Sequence, residues 1–340
     1  MTQALLYHRA CYAARVAHAF ALLLLCFVFA NFGAAFAAGL VGQPKPPAAV
    51  IATIRRASDD IVGTGDLGRA RGDLLLAVEN HPTADLTEHL ALVVRDNTSY
   101  DGLAATYEDA AKAKTGDEQR YVLYNLARLH LLRARQMLRG GVRSGSGALQ
   151  SVLAVAARTA RRVADPAITR DVGALELLGD VFAEQNDTQR AQAAYERIAL
   201  SGVPNAPAMA GVRVGALFLR AGRTADAEAA LRRGISSAAG AGADLTHQLY
   251  QNLALAYVRR SAFGPAADAL ERSARVTLDP SATPFRLRTD VAQTLLDRGY
   301  AREVNAYATA ALRVTPDDEA LRNLQRAAAA RTRLPSSGGR

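Results

Sequence analysis

The chain has 340 residues, half of them apolar and 21% charged, and its formal net charge is +9. Its two cysteines, Cys11 and Cys26, both lie near the N-terminus, in a segment whose pattern predicts removal on export. A mature chain without them forms no disulfide bonds and performs no thiol catalysis, which excludes disulfide-stabilised and cysteine-dependent classes of protein.

The N-terminal residues have the layout of an export signal. Arg9 and Arg15 precede an apolar run over residues 19–30, and a stretch of small residues ends in Ala35–Ala37. This order predicts a signal peptide over residues 1–37 that is cleaved at an A-x-A site. The apolar stretch is also long enough for the alternative, an uncleaved anchor in the inner membrane. Under both interpretations we expect the rest of the chain to be periplasmic or otherwise extracytoplasmic.

One spacing of residues recurs after a proline-rich linker at residues 38–49. A small residue is followed by an apolar one 3 positions later, a turn residue 7 later, a small or apolar one 12 later and a larger one usually 16 later. Helical periodicity on both sides of a turn residue predicts an antiparallel helix pair, and such pairs stack to bury their apolar faces. The six copies begin at Ser58, Ala91, Gly179, Gly215, Ala254 and Ala292.

The positive charge is concentrated between residues 119 and 164, where nine arginines occur with no Asp or Glu. The spacing breaks here, because a long helix is predicted to continue to about Leu138 before a Gly/Ser loop. We interpret this as an insertion around residues 133–148, and insertions in repeat proteins often project from the binding face. The segment therefore predicts contact with an anionic membrane surface, a glycan or an acidic protein. The alternative is a solvated arginine-rich face, since the chain has 38 Arg and only 3 Lys.

The copies resemble the tetratricopeptide repeat, a helix-turn-helix unit of 34 residues. The resemblance is strongest at residues 177–198 and 250–280. It implies an all-α, right-handed solenoid of about seven helix pairs over residues 50–333, with a capping helix at its C-terminal end and a disordered tail at 334–340. The chain has no Trp at the position in the first helix where the family usually carries one.

Two residues at that position, Gly211 and Arg288, are poor substitutes for a Trp, so we expect looser packing around them. His130 lies at a helix-packing position that is usually aromatic, which predicts a hydrogen-bonded core histidine. The histidines are scattered, with no H-E-x-x-H motif and no Cys/His set, so no metal site or cofactor is predicted. Gly63–Gly68 fits G-x-G-x-x-G, but a helical pattern precedes it, which favours an inter-helix turn over a nucleotide site.

In this family the first helices of successive repeats line a concave groove that holds extended peptides, and the resemblance implies such a groove here. The candidate residues are Tyr124, Asn125, Arg128, Arg213, Arg220, Gln251, Asn252 and Arg259, together with Arg135 and Arg139 on the basic helix. Amides and guanidinium groups can hold a peptide main chain or a carboxylate. Acidic residues at Glu176, Asp180 and Glu184 predict a groove of graded charge, and ordinary solvated helix faces are the alternative.

These observations predict a non-enzymatic, exported scaffold that binds protein or peptide partners during assembly or maintenance of a cell-envelope complex. Two alternatives belong to other classes. A helical repeat that binds nucleic acid fits the arginines, but the export signal argues against it. A solenoid that cradles the substrate of a glycan- or peptide-processing enzyme would need two acids with raised pKa values in one cleft.

Overall fold

The computed structural model describes residues 40–63, 65–164, 171–276 and 288–333. The predicted signal peptide or anchor and the predicted tail lie outside these ranges. Every regular element within them is an α-helix or a 3₁₀ turn, which confirms the all-α class. None of the described helices has the length and apolar content needed to cross a membrane.

The described residues form fourteen α-helices, numbered here in chain order. They are α1 (Ala48–Val62), α2 (Leu67–Asn80), α3 (Asn97–Ala113), α4 (Gly116–Arg139), α5 (Gly147–Val163), α6 (Val172–Glu184), α7 (Thr188–Ile198), α8 (Ala206–Arg220), α9 (Thr224–Ser236), α10 (Ala243–Arg259), α11 (Phe263–Arg275), α12 (Thr289–Asp297), α13 (Ala301–Val314) and α14 (Glu319–Arg333). Consecutive helices pack against each other in six pairs, and α14 packs on α13. The pairs are α1/α2, α4/α5, α6/α7, α8/α9, α10/α11 and α12/α13. This arrangement confirms a tetratricopeptide-like array with a capping helix.

The turn within each C-terminal pair uses the residue that the spacing predicts. The backbone is left-handed, with φ between 58° and 93°, at Asn186, Gly222, Ser261 and Gly299. In each turn the next N–H donates to the carbonyl five residues back, as from Asp187 to Phe182 at 2.9 Å. This is the Schellman ending of a helix, which requires a residue that tolerates a positive φ. The turn residues therefore determine where each first helix stops.

The prediction for the second copy is wrong in its first half. A helix was expected around Ala91, but the chain forms two 3₁₀ turns, and the expected turn residue Thr98 lies inside α3. The turns are Thr87–Leu90 and Val93–Arg95. Asp96 ends this stretch, because its carboxylate accepts the Ser99 N–H at 2.8 Å and caps α3. Asn125 holds the preceding segment over α4, so only a short stretch remains, and 3₁₀ turns are typical of such stretches.

Small residues allow the helices of a pair to approach closely. A Cβ atom at Gly215 would lie 2.5 Å from the Leu231 side chain. At Gly211 it would lie 2.6 Å from the Cα atom of Gly234, which is backbone and cannot rotate away. The backbones of α8 and α9 are therefore in contact at Gly211. The same glycine also lines a pocket with Ala210 and Val214, so the looser packing expected around it lies beside this contact and not at it.

Gly211→Ala is expected to lower the free energy of unfolding by about 1–3 kcal/mol, because the added methyl group forces the two helices apart. Urea unfolding followed by far-UV circular dichroism measures this loss. Gly72→Ala is the matched control, since a Cβ at this helical glycine of α2 meets no atom within 4 Å. It should raise stability by about 0.5–1 kcal/mol. A Gly211→Ala variant as stable as the control would contradict the close backbone contact.

The residues predicted to form an insertion lengthen one helix pair. Helix α4 has 24 residues, and a turn over residues 140–146 connects it to α5. Ala134, Leu149 and Leu153 form a buried apolar cluster between the two helices, and Met137 and Leu138 pack against it. This cluster holds the added length of α4 against α5.

Candidate functional site

One face of α4 holds polypeptide from elsewhere in the chain. The fully buried Asn125 donates through Nδ2 to the carbonyls of Pro82, at 2.9 Å, and Ala84, at 2.8 Å. Its Oδ1 accepts a hydrogen bond from Nε2 of Gln43 at 2.9 Å. The Thr87 hydroxyl also donates to this oxygen, at 3.4 Å, so the amide uses both donor hydrogens and its acceptor oxygen, and two of its four partners are main-chain carbonyls.

The neighbouring candidates on α4 are also engaged within the chain. Arg128 is buried and pairs with Asp85, with 2.5 Å between Nη1 and Oδ1. Its guanidinium carbon lies 5.4 Å from the ring centre of Tyr124. Tyr124 is buried as well, and burial is the main reason that its phenol pKa is raised above the ordinary value. These three candidates thus help to hold the segment around Asp85.

A second segment crosses the same helix. We call Leu40–Gln43 the strap, and we call the side chains of Tyr121, Asn125 and Asp171 that hold it the seat. The Tyr121 hydroxyl donates to the carbonyl of Val41 at 3.2 Å, and the Asp171 carboxylate accepts the N–H of Val41 at 3.2 Å. Both main-chain groups of one strap residue are therefore bound by side chains of the repeat array.

The strap has a compact turn conformation. The N–H of Gln43 donates to the carbonyl of Leu40 at 2.9 Å, and Gly42 has a φ of 79°. A Cβ atom at Gly42 would lie 2.8 Å from the Tyr121 hydroxyl, so this position requires glycine for two reasons. Leu40 is only 3% exposed, whereas Val41 is 75% exposed. The strap therefore buries the leucine and presents the valine to solvent.

The seat carboxylate is fixed by contacts outside the strap. Asp171 Oδ2 accepts a hydrogen bond from Arg120 at 2.9 Å, and its Oδ1 accepts the N–H of Gly173 at 3.0 Å, which caps α6. The Asp171 side chain is only 6% exposed. A charged acceptor held in this way is preorganised for a main-chain N–H.

The candidate arginines of α4 and α8 pair with the acids of α6. This charge network consists of Arg135, Glu176, Asp180, Glu184, Arg213 and Arg220. Arg135 lies 2.9 Å from Asp180 and 3.0 Å from Glu184. Arg213 lies 2.9 Å from Glu176, and Arg220 lies 3.4 Å from Glu184. The side chains are at most 18% exposed, and three positive charges balance three negative ones. The charge of these three acids is thus neutralised within the chain.

The acids of the charge network differ in pKa. For Asp180, burial raises the pKa, but Arg135, Arg213 and a hydrogen bond from Tyr195 outweigh it, so the net pKa is lowered. For Glu176, burial outweighs the opposing effect of Arg213, so the pKa is raised. Glu176 and Asp180 therefore do not form the pair of acids with raised pKa values that the enzyme alternative requires.

The remaining candidates occupy varied environments. Gln251 is buried, and its Oε1 accepts hydrogen bonds from the Arg288 N–H at 2.7 Å and the Tyr307 hydroxyl at 3.2 Å. Arg259 is exposed and donates to the carbonyl of Leu219 at the end of α8. Asn252 is half-buried, and its side chain makes no hydrogen bond with the described residues. Arg139 is exposed and makes no ion pair with any residue that the structure describes.

The nine arginines between residues 119 and 164 divide into two groups. The first group is held within the array: Arg120, Arg128 and Arg135 form ion pairs, and Arg133 donates to the carbonyl of Val94 at 2.6 Å. The second group is exposed and forms no ion pair with the described residues: Arg139, Arg143, Arg158, Arg161 and Arg162. The predicted basic face therefore consists of the second group, because burial removes Arg128 and Arg135 from it.

Sequence reasoning did not identify the seat residues Tyr121 and Asp171, or Gln43 in the strap. No local pattern marks them, because the hydrogen bonds that join strap and seat span 80 to 130 residues. The G-x-G-x-x-G match is a helix-turn-helix connection, with Gly63 ending α1 and Asp66 capping α2. The described residues contain no group of His, Cys, Asp and Glu that could hold a metal ion.

Comparison with known proteins adds little to this geometry. No family model and no curated protein sequence matches the chain. Solved structures with some likeness include MamA (41-end) from Desulfovibrio magneticus RS-1, with 23% identity and a TM-score of 0.33 over 59% of this chain and 95% of that one. A tetratricopeptide repeat protein from Parabacteroides merdae ATCC 43184 has 15% identity and a TM-score of 0.39 over 83% and 99%. The APC/C hetero-tetramer Cut9-Hcn1 has 13% identity and a TM-score of 0.29 over 82% and 62%. These superpositions are too distant to inform the function of this chain.

Proposed function

We propose that this protein is an exported scaffold that binds protein or peptide partners through its first helices, in the assembly or maintenance of a cell-envelope complex. The observation that carries the proposal is the engagement of main-chain groups by side chains on α4 and at the start of α6. Asn125, Tyr121 and Asp171 bind carbonyls and an N–H of chain segments that belong to no helix. A helix face that binds main-chain groups through side chains suits extended peptides of varied sequence. The export part rests on the N-terminal pattern.

The proposal includes no catalytic step. Its partners are proteins or peptides, and a polar side chain without an internal hydrogen bond, such as Asn252 on α10, is the kind of group that they would contact. The exposed arginines of the second group favour an acidic protein surface among these partners, because arginine pairs with carboxylates in a bidentate manner. An anionic lipid surface or a glycan remains a prediction from the sequence.

Site-specific photo-crosslinking tests the proposal. A photoreactive residue placed at Asn252, on a first helix, should crosslink the chain to a discrete protein when it is expressed in the envelope of its native cell. The matched control position is Arg272, which is exposed on the second helix α11. We expect a partner band at residue 252 and none at residue 272. Equal labelling at the two positions, or no protein band at either, would contradict binding through the first helices.

A charge-reversal series tests the contribution of the arginines. Arg143→Glu, Arg158→Glu and Arg162→Glu together should weaken capture of an acidic partner at least tenfold without loss of helicity, because these side chains are exposed. Arg128→Glu and Arg135→Glu are unsuitable for this purpose, since each would leave like charges buried together. Unchanged capture by the triple variant would remove the arginines from the interface and leave the peptide-binding helix face as the contact.

A further inference from the structure

We infer that the strap is a peptide ligand that the chain holds on its own binding face, and that a partner peptide of the same kind displaces it. The inference rests on the proposed function, because it identifies where such a peptide binds and what occupies the site meanwhile. The occupant to which we commit is the segment Leu40–Gln43 of this chain.

The contacts between strap and seat have the properties of peptide recognition. Val41 contributes its main-chain N–H and carbonyl to Asp171 and Tyr121, while its side chain points to solvent. These bonds are independent of the side chain at this position. Leu40, which is buried, and the Gln43 side chain, which donates to Asn125, are the strap positions that depend on sequence. The seat should therefore accept a peptide with an apolar residue, a glycine two positions later and a glutamine three positions later.

The strap can leave without disturbing a helix. It precedes α1, and only the short segment 44–47 connects the two. Within this connecting segment, the Pro44 carbonyl accepts a hydrogen bond from the Asp85 N–H at 3.2 Å, which holds the segment close to α4. Meanwhile Asn125 remains bonded to Pro82 and Ala84, and Asp171 remains bonded to Arg120 and Gly173. Two of the three seat side chains, Asn125 and Asp171, therefore stay held when the strap is released.

Tethering explains why the strap occupies the seat in the free protein. A ligand joined by a short linker has an effective concentration in the millimolar range, so even weak contacts keep it bound. A free peptide with the same contacts competes poorly until the strap is weakened. If the strap binds with a dissociation constant of about 0.1 mM, its release should tighten peptide binding roughly tenfold.

The test uses the full chain in mild detergent and a fluorescein-labelled peptide of residues 38–46, with binding measured by fluorescence anisotropy. Leu40→Asp weakens the strap by placing a charge at a buried position, and it should tighten peptide binding about tenfold. Gly42→Val is an independent variant with the same expected result, because it is strained at a positive φ and collides with Tyr121. Val62→Asp is the matched control and should bind as weakly as the unsubstituted chain, because it adds the same charge at a 55% exposed position at the end of α1, outside strap and seat.

A seat variant completes the design. Adding Tyr121→Phe to Leu40→Asp removes the donor to the peptide carbonyl and should weaken binding again about fivefold, with helicity unchanged. The inference is overturned if both strap variants keep their helical content and bind the peptide no more tightly than the control. Crosslinking at residue 252 is independent of this result. A partner crosslinked there, together with strap variants that do not bind the peptide, would leave the scaffold proposal standing and eliminate the strap as its ligand.

Discussion

Arg213→Leu is expected to lower the free energy of unfolding by about 3–5 kcal/mol, because it leaves buried carboxylates without their cation. Arg213 lies 2.9 Å from Glu176 and 3.9 Å from Asp180, and these three side chains are between 5% and 17% exposed. One oxygen of Glu176 is buried without any hydrogen-bond partner among the described residues. The arginine is therefore a principal source of compensation for burying this acid.

Urea unfolding and amide hydrogen exchange measure the effect, and hydrogen exchange is needed because a repeat array can open locally. We expect protection to fall first in α6 and α8, which carry the charge network. The matched control is Lys112→Ala, since Lys112 and Asp109 form an ion pair with side chains 74% and 77% exposed. The stability of this control should change by less than about 0.5 kcal/mol.

A double variant separates loss of the pair from loss of one partner. Arg213→Leu with Glu176→Leu removes both charges, and such replacement of a buried pair is often close to neutral. Asp180 keeps Arg135 in this variant. We therefore expect the double variant to recover at least half of the stability lost in Arg213→Leu. A single variant that costs less than about 1 kcal/mol would show that water already solvates the network.

The charge network also shows what the sequence could predict and what it could not. Helical spacing placed Arg213 and Glu176 on first helices of adjacent repeats, and this placement is confirmed. It left open whether the two side chains face a partner or each other. They are 37 residues apart, and their distance depends on how far one repeat rotates relative to the next. Local spacing contains no information about that rotation.

The same limit explains the second repeat and the strap. Turn residues such as Asn186 were predictable because a left-handed φ is a local requirement. The 3₁₀ turns after Leu86 were not predictable from local sequence, because they follow from a hydrogen bond that Asn125 makes across 41 residues to Ala84. The strap is a stretch of small, apolar and polar residues with no helical period. Its conformation depends on the seat, so only the folded chain reveals it.

Acid should destabilise the protein through two buried histidines. Burial lowers the pKa of His247 to about 4, although its hydrogen bond with the Ser273 carbonyl opposes this change. The pKa of His130 is also lowered to about 4, by burial and by the nearby Arg158. In the unfolded chain both imidazoles have a pKa near 6.5.

The sign of the effect follows from these pKa values. Between about pH 6.5 and pH 4 the unfolded chain binds more protons than the folded chain, so stability is full above this range and is lost as the pH falls. Each histidine contributes a slope of about 1.4 kcal/mol per pH unit. At pH 5 the two together should reduce the free energy of unfolding by about 4 kcal/mol relative to pH 7.

The hydrogen bonds give a structural reason for the low pKa of His247. Its Nδ1 lies 2.9 Å from the Ser273 carbonyl, so this nitrogen donates, and Nε2 must accept from the amide of Gln251. A proton on Nε2 would face that amide donor. Turning the amide would point its oxygen at the imidazolium, but the same oxygen accepts the Arg288 N–H at 2.7 Å. Protonation of His247 therefore breaks the buried hydrogen-bond network around Gln251, which explains why the neutral imidazole is favoured.

His130→Phe tests the pH dependence directly. Phe182 and Phe218 occupy the same position in later repeats, so phenylalanine fits this packing site at neutral pH. The prediction confirmed here is that His130 is a hydrogen-bonded core residue, with Nδ1 2.7 Å from the Tyr100 hydroxyl. Losing that bond should cost about 1 kcal/mol at pH 7. Between pH 7 and pH 5 the variant should lose about half as much stability as the parent, measured by urea unfolding. An equal loss in both chains would show that His130 does not contribute its expected half of the acid sensitivity.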